Sequence, residues 1–106
     1  MESKYQVTFA DGVASVELAG RLDAANAPAF QEELKKLTGK EVKRIVFFAK
    51  DLEYISSAGL RTIIFAKQKL GMHAQVYLIQ PQEAVAGVIK MSGLDNFLFI
   101  QDTYQV

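Results

Sequence analysis

The sequence contains no cysteine and a single histidine among its 106 residues. The absence of cysteine excludes disulfide bonds, thiolate metal sites and cysteine nucleophiles, and it suits a cytoplasmic protein. The longest strictly apolar runs, "IVFFA" and "IIFA", are far too short to span a bilayer, and no apolar stretch near Met1 resembles a secretory signal. The charges balance, with 12 Lys and Arg against 12 Asp and Glu. No global field therefore attracts nucleic acid or an anionic membrane, and with the short apolar runs we expect neither nucleic-acid binding nor membrane insertion.

The length and the patterning predict one α/β domain that spans residues 1–106. "YQVTFA" and "VASVELA" alternate in polarity on either side of Asp11-Gly12, which predicts an antiparallel hairpin. "RIVFFA" is continuously apolar and predicts a strand buried on both faces, while "AQVYLI" and "FLFI" predict two further strands. Helical segments separate the later strands. The order β-β-α-β-α-β-α-β predicts a mixed, mostly parallel sheet with an N-terminal hairpin and helices packed on it.

The first predicted helix lies between the hairpin and "RIVFFA". Asn26 is a plausible N-cap residue, and Pro28 falls in the first turn, where its missing N–H costs nothing. Gly39 is well placed to end this helix in a left-handed conformation. Gly20, which precedes the helix, is expected to occupy a turn that needs unusual backbone angles.

The second predicted helix runs from about Ser57 to Leu70 and is closed by Gly71, whereas the third is opened by Pro81 and stops near Gly93. On the second helix, one stripe suits the sheet and consists of Gly59, Leu60, Ile63, Ala66 and Leu70. The opposite side carries Ala58, Arg61, Thr62, Phe65 and Lys69. Phe65 is unusual on a polar face, and it is either covered by the last helix or an aromatic anchor for a partner.

The serine pair in "YISSAGL" stands at the start of that second helix. In the simplest interpretation, Ser56 or Ser57 is an N-cap residue and has no further function, since a serine oxygen accepts a hydrogen bond from a free helix amide. A nucleophilic serine would need a base within reach, but His73 lies beyond the end of the helix, roughly 24 Å from Ser57. A serine could instead accept phosphate from a partner, because a helix N-terminus tolerates an anion.

"YISSAGL" at 54–60 resembles the signature segment of the STAS-domain anti-sigma-factor antagonists, which are small bacterial regulators of transcription. "GRLDAANAPAF" at 20–30 is similar to the family's Gly-x-Leu-Asp element, and "KMSGLDNFLFI" at 90–100 is similar to its final helix, turn and last strand. Alignment on Gly59 and Leu60 implies that Ser57 is the phosphate acceptor. Ser56, where many relatives carry aspartate, is the second candidate.

The resemblance implies a partner-switching phosphoprotein, for example in a stress response. The unphosphorylated form would bind an anti-sigma factor and free the sigma factor. That anti-sigma factor would also be the serine kinase that inactivates the antagonist, and a metal-dependent serine phosphatase would restore it. The chain itself would be no enzyme and would need no cofactor or metal. The expected partner-binding residues are Asp23, Asn26, Ser56, Ser57, Ala58, Gly59, Arg61, Thr62 and Phe65.

Two other interpretations stay open. Asp23 could simply cap or stabilise its turn, or it could contact the kinase. The whole chain could instead be a STAS interaction subunit of a lipid-transport ATPase complex or of a stress-sensing assembly, without a phospho-switch. A neighbouring kinase-type anti-sigma gene would favour the antagonist, and a permease gene would favour the subunit. A small nucleotide-binding or hydrolytic enzyme has little support.

Overall fold

The computed structural model describes residues 4–70 and 74–103. Within them, one sheet contains β1 (Lys4–Ala10), β2 (Val13–Leu22), β3 (Arg44–Ile55), β4 (Gln75–Ile79) and β5 (Phe99–Gln101), in that spatial order. The pair β1–β2 is antiparallel and the other pairs are parallel, which confirms the predicted α/β architecture. The ends of the predicted domain over 1–106, the predicted stop at Gly71 and the expected solvated His73 fall outside the described residues.

The hairpin between β1 and β2 forms as the sequence predicts. Asp11 and Gly12 have φ angles of 52° and 81°, and Ala10 pairs directly with Val13. Two central residues with positive φ define a type I′ turn, whose twist matches that of the flanking strands. The carbonyl of Gly12 also accepts hydrogen bonds from the backbone amides of Lys43 and Arg44, at 2.7 and 3.2 Å. The turn therefore connects the hairpin to the start of β3.

The three predicted α-helices are present, with altered ends. They are α1 (Ala27–Lys35), α2 (Ser57–Phe65) and α3 (Glu83–Met91). The prediction that Gly39 ends α1 is wrong, although Gly39 has a φ of 89° in the turn beyond it. The second helix extends from Ser57 to Leu70 as predicted, but only Ser57–Phe65 is α-helical and Ala66–Leu70 forms a π-helical turn.

The third helix begins later than predicted, since Gln82 occupies its N-cap position and Pro81 lies just outside. After α3, Gly93 adopts a φ of 80° and a short 3-10 helix follows over Leu94–Phe97. Among the described residues, no helix has the length and apolar character that crossing a membrane requires.

The core lies between the helices and one face of the sheet. Alternate strand residues, such as Val16, Phe47 and Leu78, are fully buried and join one hydrophobic cluster. That cluster also contains residues of every α-helix, namely Phe30 and Leu34 of α1, Ile63 of α2, and Val85 and Ile89 of α3. The helices therefore cover a single face, as sequential right-handed crossovers require. Val46, on the opposite face, is also fully buried, which agrees with the prediction for "RIVFFA".

Candidate functional site

The two parallel strands β2 and β3 end side by side, and this brings the predicted site together. Leu22 pairs with Ile55, and the amide of Ser56 donates a hydrogen bond of 2.9 Å to the carbonyl of Leu22. Strand β4 pairs with β3 only as far as Phe48, so the end of β3 projects beyond the sheet, paired with β2 alone. The loop after β2 and the first turn of α2 consequently share one edge of the sheet.

Two irregularities in the pairing of β2 with β3 set the geometry of this projecting ribbon. The register shifts between Glu17 and Ala19 and again between Gly20 and Arg21. Such bulges bend a strand and re-aim its side chains. Gly20 has a φ of 77°, so the expected unusual backbone angle is present, but it lies within β2 rather than in a turn.

The two serines have different roles in the structure. Ser56 is the N-cap of α2, with an extended backbone at φ −94° and ψ 177°, and its Oγ accepts a hydrogen bond of 3.2 Å from the amide of Gly59. Ser57 is the first helical residue and is exposed. Its hydroxyl has no hydrogen-bond partner within the described part of the chain. The cap and the exposed hydroxyl therefore belong to neighbouring residues, which the sequence could not tell apart.

This difference predicts unequal effects on stability. Ser56→Ala removes the N-cap and should lower the free energy of unfolding by about 1 kcal/mol. Ser57→Ala removes only an exposed hydroxyl and should change it by less than about 0.5 kcal/mol, which makes it the matched control. Urea unfolding followed by circular dichroism measures both values. Equal losses for the two variants would contradict the assignment of the cap.

The loop after β2 is held by its own polar side chains. Asp23 Oδ1 accepts hydrogen bonds from the amides of Ala25 and Asn26, at 3.1 and 3.3 Å. Asn26 Oδ1 accepts from the amide of Asp23 at 2.8 Å, and its Nδ2 donates to the carbonyl of Arg21 at 2.7 Å. Asn26 is the N-cap residue of α1, as predicted, but its side chain makes no cap hydrogen bond. It instead fixes the loop.

Sequence reasoning missed two residues at this edge, Arg21 and Tyr54. The guanidinium carbon of Arg21 lies 4.2 Å from the ring centroid of Tyr54, and its Nε lies 3.5 Å from Asp23 Oδ2. Tyr54 remains 42% exposed. The two residues pair across β2 and β3 only because of the bulges, so their proximity had no signal in the sequence. The cation–π contact holds the guanidinium of Arg21 against Tyr54, and the ion pair with this guanidinium orients the carboxylate of Asp23.

The exposed side of α2 is narrower than predicted. Thr62 is only 1% exposed and its Oγ1 donates a hydrogen bond of 2.6 Å to the carbonyl of Gly59, which is also buried. Thr62, predicted to lie on the exposed side of α2, is buried because α1 packs against that side, whereas Gly59 is buried against Leu22 and Ile55 at the strand ends. Phe65 is half-buried and packs against the core. Arg61 is exposed, and Ala58 is half-buried.

A shallow cleft separates the first turns of α1 and α2. Its volume is about 290 Å³, and Ala24 and Pro28 line one side while Ala58 and Arg61 line the other. The described residues contain no group of three or more His, Asp or Glu side chains arranged to hold a metal. A partner could reach the Ser57 hydroxyl directly from solvent. The arrangement can therefore accept a group that another protein transfers.

The protein has a five-stranded mixed sheet in sequential order, with helices on one face and a serine at the first position of α2. This architecture is that of a STAS domain. The family model of the STAS domain matches residues 4–106, and the chain belongs to this family of anti-sigma factor antagonists.

Individual relatives support this placement. BtrV of Bordetella bronchiseptica, named as an anti-sigma factor antagonist, is 34% identical over 84 residues, which cover 78% of this chain and 72% of BtrV. The crystal structure of an anti-sigma factor antagonist from Mycobacterium paratuberculosis gives a TM-score of 0.84 at 24% identity, covering 96% of this chain and 87% of that one.

The antagonist SpoIIAA shares the fold in both of its solved forms. Its unphosphorylated form gives a TM-score of 0.80 at 18% identity, covering 92% of this chain and 87% of that one. The phosphorylated form of SpoIIAA from Bacillus gives a TM-score of 0.73 at 17% identity, covering 92% of this chain and 90% of that one.

Proposed function

We propose that this protein is an anti-sigma factor antagonist that is switched by phosphorylation of Ser57. In this proposal, the unphosphorylated form binds an anti-sigma factor that is also a serine kinase, and binding releases the sigma factor in the bacterial cytoplasm. The observation that carries the proposal is the exposed hydroxyl of Ser57 at the first turn of α2, which has no hydrogen-bond partner among residues 4–70 and 74–103. The names of the relatives supply the class of partner.

The transfer itself needs no catalytic group from this chain, which acts as a substrate rather than an enzyme. Ser57 Oγ attacks the γ-phosphorus of ATP held by the kinase, the bond to the β,γ-bridging oxygen breaks and ADP leaves. The hydroxyl proton passes to a base of the kinase. A metal-dependent serine phosphatase reverses the switch when water attacks the phosphorus, so that the serine regains its proton and inorganic phosphate leaves.

The geometry favours Ser57 over Ser56 as the acceptor. Ser56 Oγ is committed to the amide of Gly59, and a phosphate on it would have to displace or crowd the N-cap. A phosphate on Ser57 instead projects into solvent beside the positive end of the helix dipole, which stabilises an anion. No acidic residue lies in the first turn of α2 to oppose it.

The docking surface that we propose is the edge around this hydroxyl. Asp23 Oδ2, Ala58 and Arg61 can contact a partner directly, and Tyr54 with Arg21 extends the surface along the projecting ribbon. Asn26, Gly59 and Thr62 contribute indirectly, because they hold the loop and the helix in place. Phe65 belongs mainly to the core. Neither nucleic acid nor a membrane is a partner in this proposal.

The decisive test is phosphorylation by a kinase-type anti-sigma factor from the same organism. Wild type, Ser57→Ala and Ser56→Ala are incubated with that kinase and ATP and then analysed by mass spectrometry. We expect one phosphate on wild type, one on Ser56→Ala at a reduced rate and none on Ser57→Ala. A phosphate on Ser57→Ala would move the acceptor to another residue, and no phosphate on any chain would favour the STAS interaction subunit without a switch.

A further inference from the structure

Arg61 stands one helical turn beyond the acceptor serine. Ser57 and Arg61 are both exposed and lie four positions apart in α2. Residues at this spacing share one face of a helix, with their Cβ atoms about 5–6 Å apart. Helical side chains lean toward the N-terminus, so the side chain of Arg61 can reach the turn that carries Ser57.

The guanidinium of Arg61 has no competing partner in the described ranges. It makes no ion pair, side-chain hydrogen bond or ring contact with residues 4–70 or 74–103. Glu32 of α1 lines the same cleft, but its carboxylate is paired with Lys35 at 3.2 Å. Arg61 is therefore available for a new anion.

We propose that Arg61 forms an ion pair with the phosphate on Ser57, and that this pairing withdraws the guanidinium from the docking surface. The inference rests on the proposed function, because it needs a phosphate at Ser57. A guanidinium binds phosphate through a fork of parallel N–H donors, which makes arginine suited to this role.

The surrounding charges favour Arg61 as the counter-ion. The elements that adjoin the first turn of α2 are the end of β2 with its following loop, the end of β3, and α1, and their charged residues include Arg21, Asp23, Glu32, Glu33, Lys35, Lys36 and Glu53. Among these cations, Arg21 is occupied by the carboxylate of Asp23 and the ring of Tyr54, and Lys35 and Lys36 are paired with Glu32 and Glu33. The carboxylates repel a phosphate rather than bind it.

The pairing changes the docking surface in two ways. In the unphosphorylated form, the surface presents the guanidinium of Arg61, which is unpaired within the part of the chain that the structure describes. After phosphorylation, about two negative charges are added and the cation is occupied by them. A partner that binds the guanidinium of Arg61 therefore loses that attraction and is also repelled by the added phosphate. A single phosphorylation thus weakens binding in two ways.

The test measures the phosphate directly and needs no kinase. Phosphoserine is inserted at position 57 during translation, and the pH dependence of its phosphorus chemical shift is followed by NMR at an ionic strength of about 0.15 M, at which charges more than about 8 Å apart are largely screened. An adjacent cation favours the dianion, so the second pKa of the phosphate should lie about 0.5 unit lower in wild type than in Arg61→Gln. Arg61→Lys should give an intermediate pKa, because lysine retains the charge but not the fork.

The matched control is Lys69→Gln, which removes an exposed cation of the same charge beyond the end of α2. Its phosphate pKa should stay within about 0.1 unit of wild type, because salt and distance screen the charge. Equal pKa values in wild type and Arg61→Gln, or equal shifts in Arg61→Gln and Lys69→Gln, would overturn the ion pair. Neither result would touch the choice of Ser57 as acceptor, which the kinase assay decides separately.

Discussion

Gly59→Ala should lower the free energy of unfolding by about 3 kcal/mol, which corresponds to a fall in melting temperature of roughly 10–20 °C. A Cβ on Gly59 would lie 2.5 Å from the carbonyl oxygen of Leu22 and 2.8 Å from its Cγ. The same Cβ would lie 3.0 Å from Cγ1 of Ile55. These atoms belong to the strand ends that support α2, so the helix would have to shift outward. Thermal unfolding followed by circular dichroism measures the effect.

Gly87→Ala is the matched control for this prediction. Gly87 is also a helical glycine, but apart from its chain neighbours and the backbone of its own helix, no atom of the described residues lies within 4 Å of a Cβ added there. Alanine has the higher helix propensity, so Gly87→Ala should stabilise the protein by about 0.5–1 kcal/mol. If Gly59→Ala behaved like Gly87→Ala, the close packing of α2 on β2 would be refuted. A folded but destabilised Gly59→Ala chain should also be phosphorylated more slowly, since its acceptor is displaced.

Phosphorylation of Ser57 should weaken binding to the anti-sigma factor by at least about 100-fold. Two unit charges about 4 Å apart interact by roughly 4 kcal/mol at an effective dielectric constant near 20, which corresponds to almost three decades in affinity. A phosphate that faces a partner carboxylate or a desolvated patch therefore suffices to break the complex. Calorimetric titration of the chain with and without phosphoserine at position 57, against the same anti-sigma factor, measures the change.

The unphosphorylatable Ser57→Ala chain serves as the control and should bind within about tenfold of wild type, since it lacks only a hydroxyl. The expected mechanism is a blocked surface rather than a refolded domain. Backbone chemical shifts should consequently change on phosphorylation only around residues 20–27 and 51–65. Shift changes throughout the sheet would contradict this mechanism, and equal affinities of the modified and unmodified chains would contradict the switch.

Much of the fold could be predicted because local signals and topology agree. Asp11-Gly12 between two alternating segments specifies a type I′ turn, and the apolar "RIVFFA" can only be a buried strand. The ends of the helices were less predictable. Asn26 has a good capping side chain, but the loop uses it to bind Arg21 and Asp23, and no local pattern reveals that competition. The π-helical turn over Ala66–Leu70 also has no signal in the local sequence pattern.

The positions of the candidate site residues could be predicted only in part, for geometric reasons. A helical wheel separates two faces, but α2 packs against both the sheet and α1, so Thr62 is buried on a side that the wheel leaves to solvent. The contact of Arg21 with Tyr54 depends on two register shifts, which alternating polarity does not encode. Ser56 rather than Ser57 is the N-cap residue because β3 continues in extended conformation to Ile55, which leaves Ser56 as the last non-helical residue before α2.

The attachment of α2 to the carbonyl of Leu22 has a kinetic consequence. The amide of Ser56 donates to that oxygen and Gly59 packs against it, so the first turn of α2 is anchored before any partner arrives. In the proposed switch, an encounter with a kinase would then require no ordering of this turn. Association can proceed at the rate of rigid docking, about 10⁵–10⁷ M⁻¹ s⁻¹. The speed with which a cell reads this signal would thus be set by turnover in the kinase and by partner abundance, rather than by any rearrangement of the antagonist.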